Sequence, residues 1–123
     1  MSQVTVLIVE DDQQFHGYVK ELLEVEGYKT LSAYNGLEAI DIFNENTPQI
    51  VVLDLLLPLK DGIRVMTDLR ATHLNLPIIA MSGGQSNYSA SFLTAASTLG
   101  AAFTLNKPFK AEQLLKLVKN CSH

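Results

Sequence analysis

The chain has 123 residues, of which 47% are hydrophobic and 18% charged, and its thirteen acidic and nine basic residues give a formal charge of −4. This length and composition predict one small globular domain with a core large enough to fold without a disulfide or a structural metal. The single cysteine, Cys121, has no partner for an internal bridge, which excludes a disulfide-stapled exported domain and favours a reducing cytoplasm. The basic residues are scattered, which argues against nucleic acid as a direct partner. No apolar stretch approaches the ~20 residues that a membrane span needs.

Five apolar runs of strand length follow one another along the chain. Three are clear, at residues 4–9, 50–53 and 78–81, and two are weaker, at residues 28–34 and 102–105. The segments between the first four runs carry apolar residues at three- and four-residue steps, and further helices are predicted over residues 89–99 and 111–120. This alternation predicts an α/β fold of the (βα)5 type, a doubly wound five-stranded parallel sheet with helices on both faces.

Polar residues stand at the carboxyl ends of the predicted strands, where open parallel sheets bind their ligands. They are Glu10, Asp11 and Asp12 after the first strand, Asp54 after the third, Ser82 after the fourth and Lys107 after the fifth. The three acidic residues after the first strand are also typical of a solvated helix N-cap and first turn. Asp54 is alternatively a buried structural aspartate, although a carboxylate between two apolar runs is costly to desolvate without a partner.

These strand ends predict one polar site with a definite chemistry. Bringing Asp54 beside Glu10 and Asp11 concentrates like charge, which raises a carboxyl pKa or requires a cation. A cluster of carboxylate oxygens with few other protein ligands suits Mg²⁺. Ser82 and Lys107 add donors for an anion. A carboxylate nucleophile, a metal-binding cluster, a hydroxyl and an ammonium at one edge together suit phosphoryl transfer.

Four segments, with the separations they have here, resemble the receiver domain of two-component response regulators. They are Val9-Glu10-Asp11-Asp12, the stretch DLLLPLKDG at 54–62, Met81-Ser82-Gly83 and Asn106-Lys107-Pro108-Phe109. The resemblance covers the whole chain in order. It implies a flavodoxin-like fold in which residues 1–123 form a single receiver domain with no output domain.

The resemblance also implies a role for each acidic residue. Asp54 would accept a phosphoryl group as an acyl phosphate, from a histidine kinase or a histidine phosphotransfer protein. Mg²⁺ would be held by Glu10, Asp11, Asp54 and the backbone carbonyl of Leu56, with Glu10 reaching the metal largely through water. Asp12 would lie outside the metal's ligands.

On the other side of the site, the resemblance implies that Ser82 and Lys107 bind phosphoryl oxygens after phosphorylation. Such charge-assisted contacts are strong, and the new charge would bias a two-state loop and surface. The Lys107–Pro108 bond is a candidate cis peptide. The protein would then signal through phosphorylation-dependent contact with a downstream protein that the sequence does not name, as a monomer or as a phosphorylation-dependent dimer.

The chain departs from the family pattern in two places. Thr104 stands three residues before the site lysine, where receivers usually carry Tyr, Phe or His, so the usual aromatic switch is missing. The neighbouring Phe103 is expected to face the other side of its strand and to fill the core. The stretch 83–88 is longer than the common fourth loop, and its glycines predict mobility.

Two alternatives to a phosphoacceptor signalling protein remain open. A degenerate receiver would bind partners as a scaffold without phosphorylation, which Thr104 leaves possible and the retained site residues oppose. An aspartyl-phosphate hydrolase of the haloacid-dehalogenase type also uses a strand-end aspartate with Mg²⁺, but it carries a second aspartate where this chain has Leu56. The three histidines, His16, His73 and His123, have no second ligand at metal spacing and are predicted to be surface residues.

Overall fold

The computed structural model describes residues 3–83 and 89–122, in which strands and helices alternate. The strands are β1 Thr5–Val9, β2 Lys29–Ala33, β3 Ile50–Asp54, β4 Ile78–Gly83 and β5 Phe103–Lys107. The helices are α1 Gln13–Val25, α2 Gly36–Asn46, α3 Gly62–Thr72, α4 Ser89–Thr98 and α5 Ala111–Cys121. The predicted (βα)5 order is confirmed.

All five strands form one parallel sheet in the order β2-β1-β3-β4-β5. Successive side chains of a strand point to opposite faces, and the core is accordingly divided in two. Val6 and Ile8 of β1 pack with residues of α1 and α5 on one face. Leu7 and Val9 pack with residues of α2, α3 and α4 on the other. The doubly wound arrangement predicted from the sequence is therefore confirmed.

The position of each strand in the sheet explains why three of the apolar runs were clear in the sequence and two were weaker. The inner strands β3 and β4 are buried almost throughout, because helices cover both of their faces, and such strands are continuously apolar. The edge strands β2 and β5 are only partly buried. The β5 prediction ended at residue 105, but the strand continues, since Asn106 and Lys107 still pair with Ser82 and Gly83.

Several predictions about single side chains have a clear outcome. Phe103 packs against the core beneath α1 and α5, as predicted, and Thr104 is exposed. The prediction for His16 was wrong: its side chain is only 1% exposed. His73 is half-buried. His123 and loop residues 84–88 lie outside the described residues.

Within residues 3–83 and 89–122, no helix has the length and apolar character needed to cross a membrane.

Candidate functional site

The carboxyl ends of four strands meet at one edge of the sheet, because all the strands are parallel. Glu10 directly follows β1, Asp54 is the last residue of β3, and Lys107 is the last residue of β5. Ser82 lies one register position beyond Met81, which pairs with Asp54, and is level with Asn106 of β5. The topology thus brings the sequence-predicted polar residues to one place.

Three carboxylates form the centre of this edge. Glu10, Asp11 and Asp54 each offer an oxygen, and these atoms all lie within 4.8 Å of one another. Glu10 and Asp54 are 1% and 5% exposed, whereas Asp11 is open to solvent. Oxygen atoms that converge in this way, with one side open to water, fit a hard divalent cation such as Mg²⁺, which keeps several waters.

The Lys107 ammonium faces this acidic cluster. It donates hydrogen bonds to Oε1 of Glu10 and, at 3.1 Å, to Oδ2 of Asp54. Burial disfavours the ammonium, but its hydrogen bonds and the charges of both carboxylates outweigh burial and raise the pKa of Lys107. The single ammonium of Lys107 therefore offsets only part of the negative charge of the three carboxylates.

Burial also disfavours the charged form of Glu10, and at this residue the opposing hydrogen bonds do not outweigh it. Desolvation, opposed by the Lys107 hydrogen bond and reinforced by the Asp54 charge, raises the pKa of Glu10 to about 7. A buried carboxyl beside a second carboxylate holds its proton more tightly, because ionising it adds like charge in a poorly solvated place. When all three carboxylates are ionised, the one ammonium that faces them leaves the site short of positive charge.

The turn after β3 holds Asp54 from its other side. The Leu56 amide donates a 3.0 Å hydrogen bond to Oδ1 of Asp54, and the Leu56 side chain is 45% exposed. Leu55 donates through its amide to the Met81 carbonyl, 2.9 Å away. Asp54 and the backbone of Leu56 are therefore fixed relative to the neighbouring strand β4.

The backbone of Glu10 is also held from two sides. Its amide donates to the Ala33 carbonyl at 3.1 Å, and its carbonyl accepts from Nδ1 of His16 at 2.9 Å. The His16 ring stacks on Tyr34, with 4.3 Å between the ring centroids. These contacts explain why His16 is buried, and the sequence analysis missed them because they join three separate segments.

Asp12 has a different role from its two acidic neighbours. It is the N-cap of α1, and its Oδ1 accepts from the amides of Gln14 and Phe15. The N-cap interpretation of this acidic run therefore applies to Asp12, while Glu10 and Asp11 join the carboxylate cluster.

A family model for the response regulator receiver domain matches residues 6–119. The chain belongs to this family. Response regulator receiver domains are the phosphoacceptor signalling domains of two-component systems, and they generally bind Mg²⁺ at an acidic pocket.

Curated proteins similar to this receiver domain are themselves response regulators. The chain is 37% identical over 112 residues to the response regulator MprA of a Mycobacterium species, and 35% identical to that of Mycobacterium tuberculosis. In both cases the match covers 91% of this chain and 47% of the relative. The chain thus spans about half the length of the curated relatives it matches.

Solved structures that resemble this chain are also receiver domains or response regulators. The receiver domain of NtrX from Brucella abortus superimposes with a TM-score of 0.88 at 27% identity, over 94% of this chain and 96% of that one. A chain assigned to the response regulators, from Chloroflexus aurantiacus, superimposes with a TM-score of 0.89 at 31% identity, over 98% of both chains.

The remaining predicted positions of this receiver domain lie around the carboxylate cluster. Ser82 is fully buried at the end of β4. The Lys107–Pro108 peptide bond is cis, as the resemblance implied. Thr104, at the usual aromatic position, is exposed on β5, on the face opposite Phe103. The ring of Phe15, a partly buried residue of α1, lies against Lys107, and the sequence pattern did not predict this residue at the site.

Proposed function

We propose that this receiver domain accepts a phosphoryl group on the carboxylate of Asp54. The observation that carries the proposal is the position of Asp54: it shares the carboxylate cluster with Glu10 and Asp11, and its Oδ2 lies 3.1 Å from the Lys107 ammonium. A carboxylate between a cation site and a lysine is placed to attack a phosphoryl group whose charge both can offset.

The donor is proposed to be the phosphohistidine of a histidine kinase or of a histidine phosphotransfer protein. One oxygen of Asp54 forms a bond to phosphorus, and the bond from phosphorus to the histidine nitrogen breaks. The leaving imidazole keeps the electron pair of that bond and takes up a proton. The product is an acyl phosphate on Asp54, and no oxidant or further reactant is needed.

Glu10, Asp11, Asp54 and the backbone carbonyl of Leu56 are proposed to hold Mg²⁺. Bound there, the metal would offset the charge of the phosphoryl oxygens. The fit rests on the three convergent carboxylate oxygens, whose charge the Lys107 ammonium offsets only in part.

Ser82 and Lys107 are proposed to bind the phosphoryl oxygens once Asp54 is modified. Lys107 already reaches Asp54, and so a small movement brings its ammonium to an oxygen of the new group. Ser82 is buried near the end of β4, level with Asn106 of β5, and its hydroxyl is proposed as the second donor. Exchanging a carboxylate for a bulkier dianion then changes the surface around β4 and β5.

The output is proposed to be a phosphorylation-dependent contact with another protein in the cytoplasm, as a monomer or as a dimer that forms on phosphorylation. The scattered basic residues support a protein rather than nucleic acid as the direct partner.

The test is intact-mass analysis after incubation with acetyl phosphate and Mg²⁺. We expect the wild-type protein to gain one phosphoryl group and Asp54→Asn to gain none. Asp61→Asn is the matched control, because Asp61 is an exposed N-cap of α3 and asparagine caps a helix equally well. Unmodified wild-type protein, under conditions in which a known receiver reacts, would support a scaffold instead. Steady release of phosphate from many equivalents of donor would support a hydrolase.

A further inference from the structure

The Lys107 ammonium has a third neighbour besides the two carboxylates. It lies over the ring of Phe15, 4.3 Å from the ring centroid. The Lys107 side chain is 19% exposed, since the carboxylates of Glu10 and Asp54 and the face of this ring surround its end. Phe15 belongs to the first turn of α1, and so the contact joins α1 to the end of β5.

Neighbouring groups hold the Phe15 ring in place. Phe109, two residues beyond Lys107, meets it edge to face, with 5.5 Å between centroids and 80° between planes. Tyr18, one turn further along α1, packs against it at 6.1 Å. The Phe15 amide is bound by the Asp12 N-cap. A ring fixed in this way presents one defined face to the lysine.

The contact is a cation–π interaction, in which the negative face of the ring attracts the ammonium. Its strength grows as the cation loses water, and Lys107 is largely covered. Glu10 and Asp54 are also proposed to hold a metal, and a bound metal ion would weaken the attraction of these carboxylates for Lys107. The attraction of a neutral ring does not depend on those charges.

We propose that Phe15 is a positioning residue for Lys107, and that its ring keeps the ammonium beside Asp54, where it meets the phosphoryl group. The inference rests on the proposed function, because it assigns Phe15 to the phosphoryl side of the same site. It predicts a loss of phosphoryl binding without a loss of metal binding when the ring face is removed.

The contact itself is tested in the metal-free protein by NMR. In the wild type, we expect the ring current of Phe15 to shift the ε-methylene protons of Lys107 upfield, because the ammonium lies 4.3 Å from the ring centroid. We expect Phe15→Leu to return them to the ordinary lysine position and Phe15→Tyr to keep the shift, since tyrosine retains the ring face. Phe103→Leu is the matched control: Phe103 packs in the same half of the core and is equally half-buried.

The role is tested with beryllofluoride, a phosphoryl mimic, at saturating Mg²⁺. We expect Phe15→Leu to weaken beryllofluoride binding about three- to tenfold, a loss within the range of such interactions. Phe15→Tyr is expected to restore the affinity. The Mg²⁺ affinity measured without the mimic should be the same in all of these variants.

A double-mutant cycle with Lys107→Met completes the test. If Phe15 acts through Lys107, Phe15→Leu causes no further loss in the Lys107→Met background. Wild-type affinity in Phe15→Leu, or a loss equal to that of Phe103→Leu, would overturn the inference while the proposed function stands. Wild-type affinity in Lys107→Met would overturn the proposed role of the lysine, and the inference with it.

Discussion

The Lys107 ammonium donates a 3.1 Å hydrogen bond to Oδ2 of Asp54, although 53 residues separate them in the chain. Their strands, β3 and β5, are not neighbours, because β4 lies between them. The lysine therefore reaches across the end of β4, where Ser82 stands. The strand order, rather than any local segment, assembles this site, and its charge balance leads to the predictions below.

The first prediction concerns the pH dependence of Mg²⁺ binding. Burial and the Asp54 charge raise the pKa of Glu10 to about 7, despite the Lys107 hydrogen bond. A protonated Glu10 must release its proton before its oxygen can face a cation. We therefore expect Mg²⁺ affinity to fall between about pH 8 and about pH 6, by about tenfold per pH unit at most. Calorimetry in two buffers of different ionisation enthalpy measures the affinity and the released proton.

The control for this prediction is Asp54→Asn, which removes the carboxylate charge that adds to burial in raising the pKa of Glu10. In that variant the fall in affinity should begin at lower pH. The same Mg²⁺ affinity and no proton release across this pH range in the wild type would contradict the role of Glu10.

The second prediction separates two adjacent aspartates. Asp12 caps α1 through the amides of Gln14 and Phe15, whereas Asp11 belongs to the carboxylate cluster. Asp12→Ala should lower the free energy of unfolding by about 1 kcal/mol and leave Mg²⁺ affinity unchanged. Asp11→Ala should weaken Mg²⁺ binding by about tenfold or more and change stability by less than about 0.5 kcal/mol. Urea unfolding measures the stability of each variant, and calorimetry measures its Mg²⁺ affinity. If Asp12→Ala lost Mg²⁺ affinity and Asp11→Ala lost stability, the two roles would be exchanged.

The sequence predicts the strand ends well, for a physical reason. Parallel strands place their carboxyl ends at one edge, so that Glu10, Asp54 and Lys107 can be brought together without knowing any side-chain contact. Phe15 and His16 could not be predicted in this way. The rotation of α1 about its axis decides what each of them meets, and packing against β1, β2 and the segment after β5 sets that rotation. Periodicity indicates a buried stripe but not the partners of each residue.

The third prediction concerns the turn that fixes Asp54. A Cβ atom on Gly62 would lie 2.4 Å from the Leu55 Cα and 2.5 Å from the Asp54 carbonyl oxygen, and backbone atoms cannot move aside cheaply. We expect Gly62→Ala to lower the free energy of unfolding by about 2–4 kcal/mol and to weaken Mg²⁺ binding.

Gly17 offers the matched control, because a Cβ there meets nothing within 4 Å and the residue lies inside α1. Gly17→Ala should raise stability by about 0.5–1 kcal/mol, since alanine loses less conformational freedom in a helix. Urea unfolding compares the two variants. A Gly62→Ala protein as stable as the wild type would show that the turn tolerates a side chain.

The last prediction concerns stability without metal. Glu10, Asp11 and Asp54 concentrate negative charge that the Lys107 ammonium offsets only in part. Asp54→Asn removes one charge, and its amide oxygen can replace Oδ1 as the acceptor for the Leu56 amide. Lys107 then loses its hydrogen bond to Oδ2 and keeps the one to Glu10. In EDTA at about pH 8 we expect this variant to be about 1 kcal/mol more stable than the wild type, because like charges at close range oppose folding.

Added Mg²⁺ should reverse this difference, because a ligand that binds only the folded state stabilises it in proportion to its affinity, and the wild type binds more tightly. Asp61→Asn, at the exposed N-cap of α3, should match the wild type with and without metal. Urea unfolding of the three proteins in EDTA and in Mg²⁺ measures the effect. If Asp54→Asn were less stable than the wild type in EDTA, the Asp54–Lys107 hydrogen bond would outweigh the carboxylate repulsion, and the site would not be short of positive charge.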